Sequence, residues 1–338
     1  MPTITKSTIS SSEVGTLWMT YQIKSLMGVF VNRFAQDSKD KKARKILENH
    51  VKENEKLLTK IEGIYHKESA VIPEAFTDQD IFDDAPILFD DIFHIMFLRV
   101  MMKINLGFNA IHLGMSYRED ILNFYESTVK NSQETYRICT EYLTDQGVLA
   151  KPPYVSMPKE VEFIEEEKYM SGIRLFGNKR ALNTLEIAYL FQTLEVNIFG
   201  MQLMAGFSQV AKEKEIKEYF ISGKELAKKI VSNTSSLLLQ SDIQPPSTWA
   251  GKATDSVVPP FSDKIMMYCT NIMASYSVGN SALGMSFSMR SDLPAKLAIS
   301  AKDTLDFARE GGKLMIKHKW LEEPPQMEDR SLLTQNKQ

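Results

Sequence analysis

Between Ile265 and Met289 the chain carries no charged side chain, and apolar and small residues fall on every side of a helical projection. Such a helix has no face meant for water and belongs at the centre of an all-helical protein. A second segment, 172 residues earlier, has the same layout. Phe89, Asp91, Gly107, Ala110, Arg118 and Asp120 stand at that interval before Phe261, Asp263, Gly279, Ala282, Arg290 and Asp292. The chain reads as two copies of one unit of about 170 residues.

The flanking pattern is helical in both copies. Leu17, Trp18, Tyr21, Ile23, Leu26, Met27 and Phe30 predict a helix over Ser12–Ala35, and Leu190, Phe191, Leu194, Val196, Phe199, Leu203 and Met204 its counterpart. Ser10-x-x-Glu13 and Asn183-x-x-Glu186 open them as capping boxes. Short polar breaks, Asp37–Asp40 and Lys212–Glu215, lead to second helices over Lys41–His66 and Ile216–Leu239. The next connections, Lys67–Ala85 and Ser241–Val258, are long enough to cross a bundle; Pro73 and Phe76 punctuate one, Pro245, Pro246 and Trp249 the other. Third helices follow over Pro86–Met115 and Phe261–Met289. Ser116-x-x-Glu119 reads as the capping box of a fourth helix ending near Thr144, and Ser291 or Asp292 caps its repeat, with Pro294 tolerated in the first turn.

Two short turns around one long crossover is the ferritin-like order. The expected fold is all-α, a tandem duplication of a ferritin-like four-helix bundle. The expected domains are a first bundle over 1–150, a linker over 151–183, a second bundle over 184–330 and a tail over 331–338. Within the linker, Glu160–Lys168 reads either as a short extra helix or as a solvated acidic stretch. The third helices should join the halves into one body, with the uncharged second of them buried along Ile272–Phe287.

Composition narrows the function classes. A net charge of −3 over 338 residues gives no basic footprint for nucleic acid, and 43% apolar with 25% charged residues argues against wholesale disorder. The two cysteines, Cys139 and Cys269, sit at no metal or redox spacing. Met1–Gly15 lacks the apolar run of a signal peptide, so a cytoplasmic location is expected. Ile265–Met289 is long enough to span a bilayer, yet it holds Thr270, Asn271, Asn280 and several serines, and its counterpart carries Arg99 and Lys103. No membrane partner is expected.

The chemistry is sparse. A di-metal carboxylate bundle needs inward Glu-x-x-His motifs, because that spacing puts acid and imidazole on one helix face. None occurs. Asp91-x-x-His94 lies at a helix start; His50-x-x-Glu53 has the reverse order within a charged stretch, so exposure is expected. No histidine recurs between copies: His94 aligns with Met266 and His112 with Gly284. No nucleophile motif or phosphate loop is present, and the methionines at helical spacing read as adaptable core. Glu195 stands out as the one charge between Glu186 and Lys212, with Gln22 at the equivalent place. Both are expected to point into their bundles at the same depth and to hydrogen-bond another helix. They are the candidate binding positions, with no catalytic residue, metal ligand or cofactor expected.

Asn183–Glu186, GFSQVAKEKEIKEYF (Gly206–Phe220), VPPFSDKIMM (Val258–Met267) and MIKHKWLEEPPQ (Met315–Gln326) together resemble an uncharacterised two-repeat family of endospore-forming bacteria. The resemblance covers nearly the whole chain. It implies two ferritin-like bundles per chain and a distant similarity to spore-coat protein F. Some relatives carry histidine at the positions of Leu57 and Ile230, which are apolar here. The expected function is a non-catalytic helical protein with a structural or interaction role, associated with sporulation, whose partner is a second copy or a spore protein. Two alternatives stand beside it: a metal-binding or oxidase-like bundle with a degenerate carboxylate site, and a carrier of a small apolar ligand.

Overall fold

A computed structural model gives the architecture and describes residues 8–172, 179–246 and 252–335. The first half contains α1 (Ser11–Asp37), α2 (Lys41–Lys67), α3 (Asp91–Gly114) and α4 (Glu119–Asp145). The second contains α5 (Thr184–Val210), α6 (Lys214–Leu239), α7 (Asp263–Phe287) and α8 (Asp292–Lys317). A short α9 (Arg330–Gln335), not foreseen, lies in the tail. Both first-helix capping boxes form as expected, the hydroxyl or amide oxygen taking the N3 amide and the glutamate returning to the cap amide.

Two local expectations fail. The Ser116 hydroxyl donates to the carbonyl of His112 at the end of α3, so it does not cap α4. Neither Arg118 nor Ser291, at the cap positions of α4 and α8, makes a side-chain cap bond. Among the described linker residues the one helical turn is a 3-10 turn, Glu167–Met170, and Glu160–Lys168 is exposed, as the solvated reading of that stretch expects.

Each half has two short turns and one long crossover. The first crossover runs the full length of its bundle. Asp91, after the first crossover, accepts from the amides of Lys39 and Asp40 at the α1–α2 turn, whereas Glu68, before it, pairs with Arg118 at the opposite end. The crossovers also pair with each other. Isolated antiparallel bridges link Ile81 to Phe261 and Phe89 to Ala253, which are the same pair exchanged between copies. Phe82 N donates to Pro260 O at 3.0 Å and Thr254 N to Leu88 O at 2.8 Å, again equivalents. The halves therefore meet about a pseudo-two-fold axis, as an isologous dimer would, within one chain. Trp249, read as a crossover aromatic, lies outside the described residues.

One core joins the halves. The rings of Phe30 and Phe261 lie 4.3 Å apart, those of Phe93 and Phe199 5.2 Å, and Phe207 approaches both Phe30 and Phe89. The one-body expectation holds. The burial expected of α7 does not: Ile265–Ala274 is largely inside, but Leu283 and Phe287 are 52% and 49% exposed. The close contact lies at the crossover end of α7, and beyond Ala274 the helix keeps an uncharged outer face.

Candidate functional site

The polar residues that the duplication preserves tie helix ends together. Glu13 is buried and uses both carboxylate oxygens. Oε2 takes the Ser10 amide, while Oε1 takes the amides of Tyr117 and Arg118, both at 2.8 Å, before α4. Burial pushes its pKa up, but these hydrogen bonds outweigh burial and hold it at about 2. Glu186 repeats the arrangement, taking the amides of Asn183 and Arg290 and pairing with Arg180. At the other end, Asp263 accepts from the amides of Lys212 and Glu213, as Asp91 does in the first half. Arg118 pairs with Asp120 and Arg290 with Asp292.

Glu195 and Gln22 do not form a matched layer. Glu195 leaves its own bundle and reaches α3 of the first half. It pairs with Arg99 Nη1 at 2.7 Å and with the Lys103 ammonium. Arg99 also donates to Thr140 Oγ1 at 2.9 Å and to the Tyr136 hydroxyl at 2.8 Å. Burial raises the Glu195 pKa, yet the two cations more than offset that and leave it below the usual value. Gln22 is buried at 4% exposure, and its side chain makes no hydrogen bond to another helix among the described residues. The reason is in the partner helix. The equivalents of Arg99 and Lys103 are Asn271 and Ser275, so the second half offers Gln22 no cation.

The Glu195 cluster lines a cleft of 460 Å³ between the halves, walled by Phe191, Ile198, Leu149, Pro152 and Pro246. Its size suits a small ligand. On the symmetry-related side Glu322 caps the amides of Glu74 and Ala75. Its first-half equivalent is Ala150, which lines the cleft.

The bundle centres differ most. In the second half a cavity of 60 Å³ is lined by Asn197, Gly223, Ala227, Thr270, Ser277 and Thr304, among apolar residues from all four helices. In the first half those places hold Lys24, His50, Asn54, Leu98, Asn105 and Ser132. His50 is 2% exposed, against the exposure expected for it, and Lys24 is 1% exposed. Asn54 Nδ2 donates to the Lys24 carbonyl at 2.7 Å. Both ring nitrogens of His50, Asn54 Oδ1 and Ser132 Oγ lack a hydrogen-bond partner among the described residues. Burial lowers the Lys24 pKa to about 8; burial and the Lys24 charge lower that of His50 to about 3.

Sequence periodicity held a signal for this centre. Leu47, His50, Asn54, Leu57 and Ile61 follow three- and four-residue steps, so His50 and Asn54 occupy the inward stripe of α2. The donor set does not suit a di-metal centre. An ammonium repels a cation, and no group of three or more His, Cys, Asp or Glu side chains converges among the described residues. No described helix is long and apolar enough to cross a membrane.

Comparison with known proteins places the chain in a family. The family model described as "Protein of unknown function (DUF3231)" matches twice, over residues 2–161 and 170–333, and the chain belongs to that family. Among solved structures, a Bacillus halodurans C-125 protein whose title assigns it provisionally to the spore coat is similar at 15% identity and TM-score 0.42. The match covers 44% of this chain and 98% of that one. No curated protein matches.

Proposed function

We propose that this DUF3231 protein is a non-catalytic helical protein with a structural or interaction role, associated with sporulation and working in the cytoplasm or the spore. The observation that carries the reading is the use made of the duplicated polar residues. Glu13 with Glu186, Asp91 with Asp263, and Arg118 with Arg290 are engaged at helix ends. A duplicated reaction centre would instead keep matching acids or histidines at mid-helix, where the second half has small and apolar residues. The family resemblance supplies the link to spore formers.

The test is purification of the full chain without a metal-affinity step, followed by metal analysis and an oxygen-uptake assay with ferrous iron. Substoichiometric metal and no uptake are expected. One bound transition metal per chain with iron-dependent uptake would overturn the reading in favour of an oxidase-like bundle. The cleft beside Glu195 favours a second reading, a carrier of a small, largely apolar ligand. Native mass spectrometry of the freshly purified chain, with an excess mass lost on organic extraction, is the result that reading requires.

A further inference from the structure

Among the described residues Lys24 is the one buried lysine, 1% exposed, and no carboxylate there pairs with it. Its pKa is lowered by burial alone, so no carboxylate offsets the loss of water. An uncompensated ammonium in such a place is destabilising unless it gives up its proton. The fold does not demand that cost. The second half builds the same bundle with Asn197 in place of Lys24, and Asn197 is satisfied by its own helix through a 2.8 Å bond to Thr193 O. The neighbours change together with the lysine: His50 becomes Gly223, Asn54 becomes Ala227 and Ser132 becomes Thr304. Thr304 bonds to Ser300 O at 2.8 Å, so it leaves no orphan.

The orphaned atoms define what would fill the first centre. His50 offers one donor and one acceptor, Asn54 Oδ1 an acceptor and Ser132 Oγ either role. The occupant must both donate and accept, which excludes a simple halide and a bare cation. An adduct between the amine and a carbonyl compound meets that requirement. We propose that Lys24 is an imine-forming residue that captures a small aldehyde at the centre of the first bundle, with His50 moving the proton. This goes beyond the structural reading of the chain and does not depend on it.

The chemistry balances without any redox partner. The neutral amine of Lys24 attacks the carbonyl carbon, and the C–N bond forms as the carbonyl electron pair moves to oxygen. His50 takes a proton from nitrogen and returns one to that oxygen, giving a carbinolamine whose hydroxyl is placed to donate to Asn54 Oδ1. The proton remaining on nitrogen passes through His50 to that hydroxyl, which leaves as water while the nitrogen electron pair forms the C=N bond. Aldehyde and amine give imine and water. Buried lysines serve as such nucleophiles because desolvation raises the neutral fraction near pH 7.

The test uses the full chain with glycolaldehyde and sodium cyanoborohydride at pH 7, brief exposure and peptide mass mapping. In the native protein Lys24 should be reduced to the secondary amine at least tenfold ahead of exposed lysines such as Lys56. In the urea-unfolded chain the preference should vanish. Lys24 modified no faster in the native than in the unfolded protein would overturn the proposal, as would labelling spread evenly over surface lysines. His50→Gln keeps a polar group in place but cannot relay a proton. It should slow Lys24 labelling about tenfold while the circular dichroism spectrum stays native. An unchanged rate in a folded His50→Gln protein would overturn the role given to His50. The Lys24→Met chain supplies the blank for the modified peptide.

Discussion

The two halves share a scaffold and differ inside it. Both are tied at one end by a buried glutamate and at the other by an aspartate, through equivalent backbone amides. Their interiors have diverged. The first half buries Lys24, His50, His94 and His112; the second has Asn197, Gly223, Met266 and Gly284 at those positions. His94 accepts or donates to Ser38 Oγ at 3.2 Å and stacks on Phe34; His112 meets Thr20 Oγ1 at 3.2 Å. Gly284 instead lets Leu297 and Tyr189 close in on the α7 backbone. A duplicated fold keeps the contacts that set its topology, since losing one leaves several orphaned amides. Its centre is free to change while volume and hydrogen bonding are satisfied.

The largest effect tests the shared ties. Glu13→Ala and Glu186→Ala should each cost about 3–5 kcal/mol, because each strips partners from buried donors in two helix ends at once. Urea denaturation checks this. A large loss in one half and none in the other would break the equivalence of the two ends. Phe30→Ala removes a ring that touches Phe207 and Phe261 of the other half. It should cost about 3–5 kcal/mol and shift a single calorimetric transition. Two separate transitions would show that the halves unfold independently, against the single core.

Acid should distinguish the interiors. Burial holds the pKa of His50 and of His94 at about 3 and that of His112 at about 4, whereas the unfolded chain takes up these protons near 6.5. The unfolded state then binds more protons below pH 6.5, so stability falls as pH drops from there toward 4. The loss should reach about 2 kcal/mol for each of the three histidines at pH 5, roughly 6 kcal/mol together, and concentrate in the first half. Hydrogen exchange at pH 5 and pH 7 reads it: amides of α2 and α3 should lose protection before those of α6 and α7. Glu13 and Glu186 are both held below the ordinary carboxylate value by their hydrogen bonds, one in each half, so they do not blur this contrast.

The smallest predicted change has the opposite sign. The Lys24 pKa of about 8 lies below the ordinary value of 10.5, so the unfolded chain holds the extra proton between those values. Its burial penalty is fully present below pH 8 and fades as pH climbs toward 10.5. Lys24→Met should therefore stabilise the protein by roughly 1–3 kcal/mol at pH 7, with no gain near pH 10.5. A destabilised Lys24→Met at pH 7 would show that the ammonium has a partner in solution.

Helix positions, the duplication, the single long crossover in each half and the union of the halves were all legible in the sequence. Periodicity and capping are local, and the repeat measures each element against its twin. The fate of individual polar residues was not. The charged neighbours of His50 in sequence point it to solvent, yet its three- and four-residue phase with Leu47 and Leu57 places it inside. Helical phase alone points Glu195 into its own bundle, because nothing local shows that Arg99 and Lys103 of the other half stand opposite. The symmetric pairing of the crossovers and the early emergence of α7 from the core were likewise decided only in three dimensions. A helix's inward face follows from its own residues, whereas what a polar side chain meets there depends on segments far along the chain, brought together by the packing of the halves.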